Sequence, residues 1–265
     1  MLDRYNRKIN YLRISVTDRC NLRCTYCMPP EGVPLKKKKE NLSIDEFVEI
    51  VKEAVPLGFT KIRLTGGEPL LKAGIVELVQ KIKALSGVDH LGMTTNGVLL
   101  SKYAKPLKAA GLDSVNVSLD TLDPQLYHSI TGGGNIEKVL EGINSAIEER
   151  FTVKINTVVQ DSTTEENILE MKTFCKNKGI SLQLINHYSL KKKKLDNYCF
   201  DRPPPCEKCN RIRLMADGNL KPCLHSNIEI PVELKNIKSS LVEAVLRKPR
   251  RGGICTNRSM IEIGG

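Results

Sequence analysis

Short apolar runs rich in β-branched residues recur along the first two-thirds of the chain, at residues 12–17, 61–65, 90–94, 114–119, 153–159 and 181–185. Each reads as a strand. Between them the apolar positions switch to helical spacing. Ser43, with Glu46 three residues on, offers an N-cap and an acidic N3 residue ahead of Phe47, Val48, Ile50 and Val51. Ile75, Leu78, Val79, Ile82 and Leu85 form the next apolar stripe. Further helices are predicted over 102–110, 135–149 and 164–178, the last closed by Gly179 at its C′ position. Six strands with intervening helices imply an α/β protein with a parallel sheet and right-handed crossovers. Closed or partly closed, that sheet is a TIM-like (β/α)6 barrel. The expected division is a core barrel over residues 1–188 and a C-terminal region over 189–265.

Barrels of this kind place their chemistry at the C-terminal ends of the strands, and four polar motifs fall there. Cys20, Cys24 and Cys27 follow the first strand, and Thr65-Gly66-Gly67-Glu68-Pro69 follows the second, its two glycines permitting close backbone approach to a ligand. Thr94-Thr95-Asn96-Gly97 follows the third, and Asn116-Val117-Ser118-Leu119-Asp120 closes the fourth. One Gly-Gly-Glu alone is no more than a turn; four motifs at four successive strand ends define a face. After residue 185 the alternation stops. Pro203-Pro204-Pro205 breaks regular structure, and Asp217-Gly218 between apolar runs suggests a hairpin.

Two sets of three cysteines carry the candidate chemistry. The first has the spacing C-x3-C-x2-C with Tyr26 just before its last member; the second is Cys206, Cys209 and the more distant Cys223. Thiolates select zinc, copper(I) or iron–sulfur clusters. Structural zinc takes four protein ligands, which three cysteines do not supply. A cubane cluster on three thiolates instead keeps one iron open to an outside ligand. Zinc sites completed by a distant residue, His225 or Cys199 for the second set, remain the alternative. Arg211 and Arg213 are two apart and share a face if extended, which suits an anionic or acceptor-rich substrate; surface salt bridging is the other reading.

Composition narrows the choice without deciding it. The chain has 265 residues, 40% of them hydrophobic, enough for a substantial core. No run approaches the roughly 18 apolar residues of a membrane span, and the N-terminal residues lack an apolar signal core. Nine cysteines, six of them in metal-ligand spacing, point to a reducing cytoplasm rather than a disulfide framework. Cys175, Cys199 and Cys255 are left as ordinary thiols. Much of the net charge of +11 sits in two lysine runs, 36–39 and 191–194, both expected to be solvated loops. With five Phe, seven Tyr and no Trp, base-stacking platforms are scarce, so nucleic-acid binding is the weaker inference.

Taken together, 12–29, 61–71, 94–97, 115–121, 154–159, 206–224 and the terminal Ile263-Gly264-Gly265 resemble the GTP 3′,8-cyclase family of molybdopterin biosynthesis, within the radical S-adenosylmethionine (SAM) enzymes. The resemblance implies a radical SAM barrel with a C-terminal iron–sulfur extension, carrying two [4Fe-4S] clusters and SAM. Cys20, Cys24 and Cys27 would hold the SAM-binding cluster, and Cys206, Cys209 and Cys223 the auxiliary one, which contacts guanine. Reductive cleavage of SAM would give a 5′-deoxyadenosyl radical that takes a hydrogen from ribose C3′ of GTP, after which that carbon attacks C8. Tyr26, Gly67, Ser118 and Tyr188 are implied as cofactor contacts. Arg13, Arg63, Thr94, Lys154, Arg211 and Arg213 are implied around the nucleotide, with Arg211, Arg213, Gly264 and Gly265 completing the catalytic site. An external one-electron donor and the next enzyme of the pathway are the implied partners, with a homodimer left open. Two departures stand out: only 186–205 separates the sixth strand from the second cysteine set, and Gln183 occupies a position where the family usually has arginine. A radical SAM enzyme with an auxiliary cluster acting on a peptide or another small molecule is the alternative.

Overall fold

The computed structural model describes residues 1–28, 41–195, 198–200 and 202–264; the lysine run 36–39 and Gly265 lie outside them. The six expected strands form at Tyr11–Ser15 (β1), Lys61–Thr65 (β2), His90–Thr95 (β3), Ser114–Ser118 (β4), Thr152–Val159 (β5) and Ser181–Asn186 (β6). Each pairs in parallel with the next in sequence. The crossovers contain Ile44–Ala54 (α1), Ile75–Lys83 (α2), Leu100–Ala109 (α3), Ile136–Glu148 (α5) and Glu165–Asn177 (α6). Ser43 and Glu46 form the expected reciprocal capping box on α1. Pro124–Thr131 (α4), capped by Asp123 with Pro124 at N1, was not legible as a separate helix. Its eight residues offer too short a stripe for periodicity to reveal.

Three further strands extend the sheet past β1: Arg211–Leu214 (β7), Asn219–Lys221 (β8) and Ile230–Pro231 (β9), giving the order β6-β5-β4-β3-β2-β1-β7-β8-β9. β7 is parallel to β1, while β8 returns antiparallel through the expected hairpin, whose Gly218 has φ +83°. Ile237–Leu246 (α7) and Met260–Ile263 (α8) complete the chain. In the described residues β6 and β9 are not neighbours in the sheet, so the barrel is partial.

Alternation along the strands divides the chemistry. Leu12, Ile14, Ile62, Leu64, Leu91, Met93, Val115 and Val117 are buried in one core with Phe47, Ile50, Leu78, Ile82, Val139 and Ile143 of the helices. Burying each such side chain contributes about 1.5–3 kcal/mol. The intervening positions, Tyr11 and Arg13 on β1 among them, face the barrel interior instead. Ile212, Leu214, Leu220, Leu241 and Val245 join that same core. The expected boundary at 188/189 therefore separates two stretches of sequence within one packed body, because β7 adds directly to β1.

Candidate active site

The cysteine loop after β1 is held by its neighbours' backbones. The Gly67 and Glu68 amides donate to the Thr17 and Arg19 carbonyls at 2.8 and 2.7 Å. A Cβ on Gly66 would lie 2.4 Å from the Thr17 oxygen, and one on Gly67 2.3 Å from the Arg19 oxygen. The close approach expected toward a ligand is thus made to the cysteine loop itself. Glu68, fully buried, accepts from Leu70 N, Thr95 Oγ1 and Asn96 N, tying the ends of β2 and β3 together. Burial pushes its carboxyl up to about 7 despite those donors.

Tyr26 donates its hydroxyl to Asp120 Oδ2 at 2.7 Å, and Asp120 Oδ1 accepts from Val158 N. The phenol is therefore committed to a brace across β4 and β5. Burial raises the Cys24 and Cys27 thiols to about 12, with Asp120 and Cys20 adding to the effect on Cys24, and Cys24 and Cys20 on Cys27. Three thiols that disfavour one another's ionisation are suited to a cationic metal core, which releases their protons on binding. Leu22 N and Asn96 Nδ2 donate to the Cys20 sulfur, the N–H···S support that metal thiolates receive. Among the described residues no three His, Cys, Asp or Glu side chains converge as they would around a single metal ion.

The second cysteine set sits at the other end of the barrel. Cys206 and Cys209 precede β7 and Cys223 follows β8, so all three lie near the N-terminal ends of the parallel strands, whereas Cys20–Cys27 lies beyond their C-terminal ends. The four strand-end motifs keep to the C-terminal face, and the second cysteine set does not join them, because a strand added parallel to β1 brings its preceding loop to the opposite end. Gly252 N donates to Cys206 Sγ at 3.3 Å. Burial would raise the Cys209 thiol, but Lys248 and Arg211 hold it down at about 7. These cationic and N–H donors fit a second thiolate-bound group.

Between the two ends lies a cavity of about 400 Å³. Parallel register lays two rows of side chains across its wall: Lys61, Tyr11 and Arg211 in one, Arg63, Arg13 and Arg213 in the next. Tyr11 accepts from Arg63 Nε at 2.6 Å while the Arg211 guanidinium lies over its ring at 5.5 Å. Burial alone would raise that phenol; Arg13, Arg63 and Arg211 overcome it and lower it. Burial and the neighbouring Arg213 depress Arg13 to about 9. The structure brings together the expected Arg13, Arg63, Lys154, Arg211 and Arg213 with Lys61, Lys194, Arg202 and Lys248, and among the described residues no Asp or Glu shares the lining. Cys206, Cys209 and Cys223 line the same space.

Other expectations fall differently. Tyr188 packs on His225 at 5.3 Å and lines the cavity beside the second cysteine set. Thr94, Ser118, Gly67 and Tyr26 are outside the cavity lining; Thr94 Oγ1 lies 3.5 Å from Arg63 Nη1, and Ser118 pairs with Asn156. Gly264 is buried against Thr65 and Gly66, and its carbonyl accepts from Arg13 Nη2 at 2.9 Å. Lys191, Lys192 and Lys193 are exposed as expected, but Lys194 turns into the cavity and donates to the Pro204 carbonyl. The short 186–205 segment thus supplies wall residues. Lys61 was legible only as a strand residue and Tyr11 fell just before the expected first strand, which the structure begins at Tyr11; their period of two with Arg13 and Arg63 was the available signal.

A partial parallel barrel with a three-cysteine loop beyond its first strand defines a radical SAM enzyme. Residues 14–175 match the Radical SAM superfamily. The solved structure of anSMEcpe with bound AdoMet is similar in fold, with a TM-score of 0.65 at 17% identity over 91% of this chain and 81% of that one. The GTP 3′,8-cyclase of Alkaliphilus oremlandii is 39% identical over the whole of both chains, and that of Peptoclostridium acidaminophilum 39% identical over all of this chain and 98% of its own. The chain belongs to the GTP 3′,8-cyclase family of radical SAM enzymes. It uses SAM and an iron–sulfur cluster. The first alignment runs to 320 positions against 265 residues, so that relative has segments this chain does without. No helix among the described residues is long and apolar enough to cross a membrane.

Proposed function

We propose that this chain converts GTP to (8S)-3′,8-cyclo-7,8-dihydroguanosine 5′-triphosphate in molybdenum cofactor biosynthesis, using two [4Fe-4S] clusters. The observation that supports this most is the cavity. Basic side chains from β1, β2, β5 and β7 face it, with no carboxylate among the described lining residues, and it ends on Cys206, Cys209 and Cys223. Such a wall selects a polyanion. Five-residue strands rise about 16 Å, enough to seat a nucleotide between the two cysteine sets.

In this reading Cys20, Cys24 and Cys27 hold the cluster that, when bound, supplies the electron for SAM cleavage. Gly67 and Ser118 take part in holding SAM nearby, while Tyr26 fixes the loop through Asp120. Arg63, Lys154, Arg211 and Arg213 bind phosphate oxygens, with Thr94 behind Arg63. Arg13 links the substrate to the Gly264-Gly265 tail. The protein's contribution is to position and shield the reacting nucleotide. An external one-electron donor, the next enzyme of the pathway and a cytoplasmic setting belong to the same reading, and a homodimer is compatible with it.

The test is anaerobic turnover of the reconstituted protein with reductant and SAM. GTP should give 5′-deoxyadenosine together with a cyclised nucleotide, and ATP should give no cyclised product. SAM cleavage that leaves GTP unchanged would refute the assignment.

A further inference from the structure

Lys248 is buried, with 3% of its surface exposed, just beyond α7. Its ammonium donates to the Arg211 and Pro222 carbonyls, both at 2.8 Å, which pins it between the chain segments that carry Cys209 and Cys223, and its charge lowers the Cys209 thiol. Among the described residues it forms no ion pair with a carboxylate. A buried cation without a counter-charge is strongly destabilising, so the site is built for a negative group beside Cys209. Arg211 and Arg213, whose buried Nε atoms have no hydrogen-bond partner, add to that positive surround.

The first cysteine set has the opposite electrostatics. Buried Glu68 and Asp120 act on Cys20 and Cys24, and the donors to the Cys20 sulfur are the neutral Leu22 amide and Asn96 side chain. Arg23 donates to the Cys20 and Leu22 carbonyls rather than to a sulfur. Reduction adds negative charge to a cluster, so a fixed cation beside its thiolates favours the reduced form.

We propose that Lys248 is a tuning residue that raises the reduction potential of the auxiliary cluster through its fixed charge beside Cys209 and Cys223. This rests on the two-cluster reading above and does not depend on which substrate the enzyme takes.

The experiment is an EPR-monitored redox titration of the full chain carrying both clusters, with the first cluster's signal assigned by its response to SAM. Lys248→Gln, which keeps a donor, and Lys248→Met should each shift the reduced-to-oxidised ratio of the auxiliary cluster at least tenfold toward oxidised, about 59 mV for one electron. The first cluster should be unmoved, and Lys248→Arg should stay near the parent. An unchanged auxiliary midpoint at full iron content, or equal shifts in both clusters, would overturn the proposal. Loss of the auxiliary cluster from all three variants would make Lys248 a structural strut and overturn it too. A parent protein that binds only one cluster would instead remove the two-cluster reading, and iron analysis shows that before any variant is compared.

Discussion

Arg13 on β1 donates Nη2 to the Gly264 carbonyl at 2.9 Å, joining the first barrel strand to the C-terminal tail across 251 positions of sequence. Ser15, two residues along the same strand, donates to the Glu262 carbonyl at 2.8 Å. The tail therefore enters from the C-terminal ends of β1 and β2, while Arg13 reaches on into the basic cavity. A single guanidinium touches both the tail and the cavity proposed for the substrate.

Gly264→Ala should reduce cyclised product at least tenfold while leaving iron content at the parent level. Gly264 has φ +68°, and an added Cβ would meet Thr65 Cγ2 at 2.5 Å and Gly66 N at 2.9 Å. The tail must back away, and its carbonyl leaves Arg13. A tenfold loss is about 1.4 kcal/mol of transition-state stabilisation. Deletion of Gly264 and Gly265 should do at least as much, and full turnover by either variant would show the tail to be dispensable.

Gly92→Ala tests the cationic rows without touching a charge. Gly92 pairs with Arg63 across β2 and β3, and a Cβ there would lie 2.8 Å from Arg63 Nη2 and 2.9 Å from Ser114 Oγ. Arg63 would be displaced from the Tyr11 hydroxyl. The expected result is a several-fold rise in KM for GTP, steeper at higher salt, with SAM cleavage in the absence of nucleotide unchanged. Kinetics at two ionic strengths decide it.

The barrel was legible because its strands and helices alternate with clear periods, and the first cysteine set because its spacing is local. What escaped is what the sheet assembles at a distance. Tyr11 is an ordinary aromatic in sequence, and only parallel register with β2 and β7 places it among Lys61, Arg63 and Arg211. Lys194 reads as part of a solvated run, yet the chain path after β6 turns it inward. Residues 189–265 lack alternation, so nothing local indicated that β7 would extend the barrel beside β1.

The two cysteine sets should separate in function. Replacing Cys20, Cys24 and Cys27 with Ala should halve the iron and abolish SAM cleavage. Replacing Cys206, Cys209 and Cys223 should also halve the iron, but spare some SAM cleavage while eliminating GTP conversion. Their places at opposite ends of β1 and β7 make each local site independent of the other. Iron analysis with product chromatography reads both outcomes, and parent-rate cyclisation by the second variant would leave its cysteines without a substrate role.

Arg258→Met should loosen the tail. Arg258 holds Glu229 through Nε and Nη2 at 2.9 and 2.7 Å, Asp217 at 2.8 Å and Glu262 at 3.3 Å, all largely buried. Removing one partner of a buried ion network typically costs about 3–5 kcal/mol. The melting temperature should fall, and the ratio of 5′-deoxyadenosine to cyclised product should rise as α8 shifts. Arg258→Lys, which keeps the charge and loses the bidentate fork, should fall between parent and Met. A variant with an unchanged ratio would confine Arg258 to stability.

Glu68 gives the last prediction, a pH dependence with a definite sign. Its folded-state pKa is raised by burial from 4.5 to about 7, even though Leu70, Thr95 and Asn96 donate to it. Between those values the folded protein binds more protons at this site than the unfolded chain, so stability falls as pH rises. The contribution is fully present below about 4.5 and is lost as pH climbs through about 7, and it amounts to roughly 3 kcal/mol. In the metal-free protein, denaturant melts from pH 5 to 8 should therefore show declining stability. Glu68→Gln cannot ionise, so its own profile should be flatter over that range. It should also be less stable than the parent at pH 5, because its amide nitrogen cannot accept from the Leu70 or Asn96 amides. A parent-like slope in Glu68→Gln would place the pH dependence on another group, with Asp120, raised by burial to about 6, the next to test.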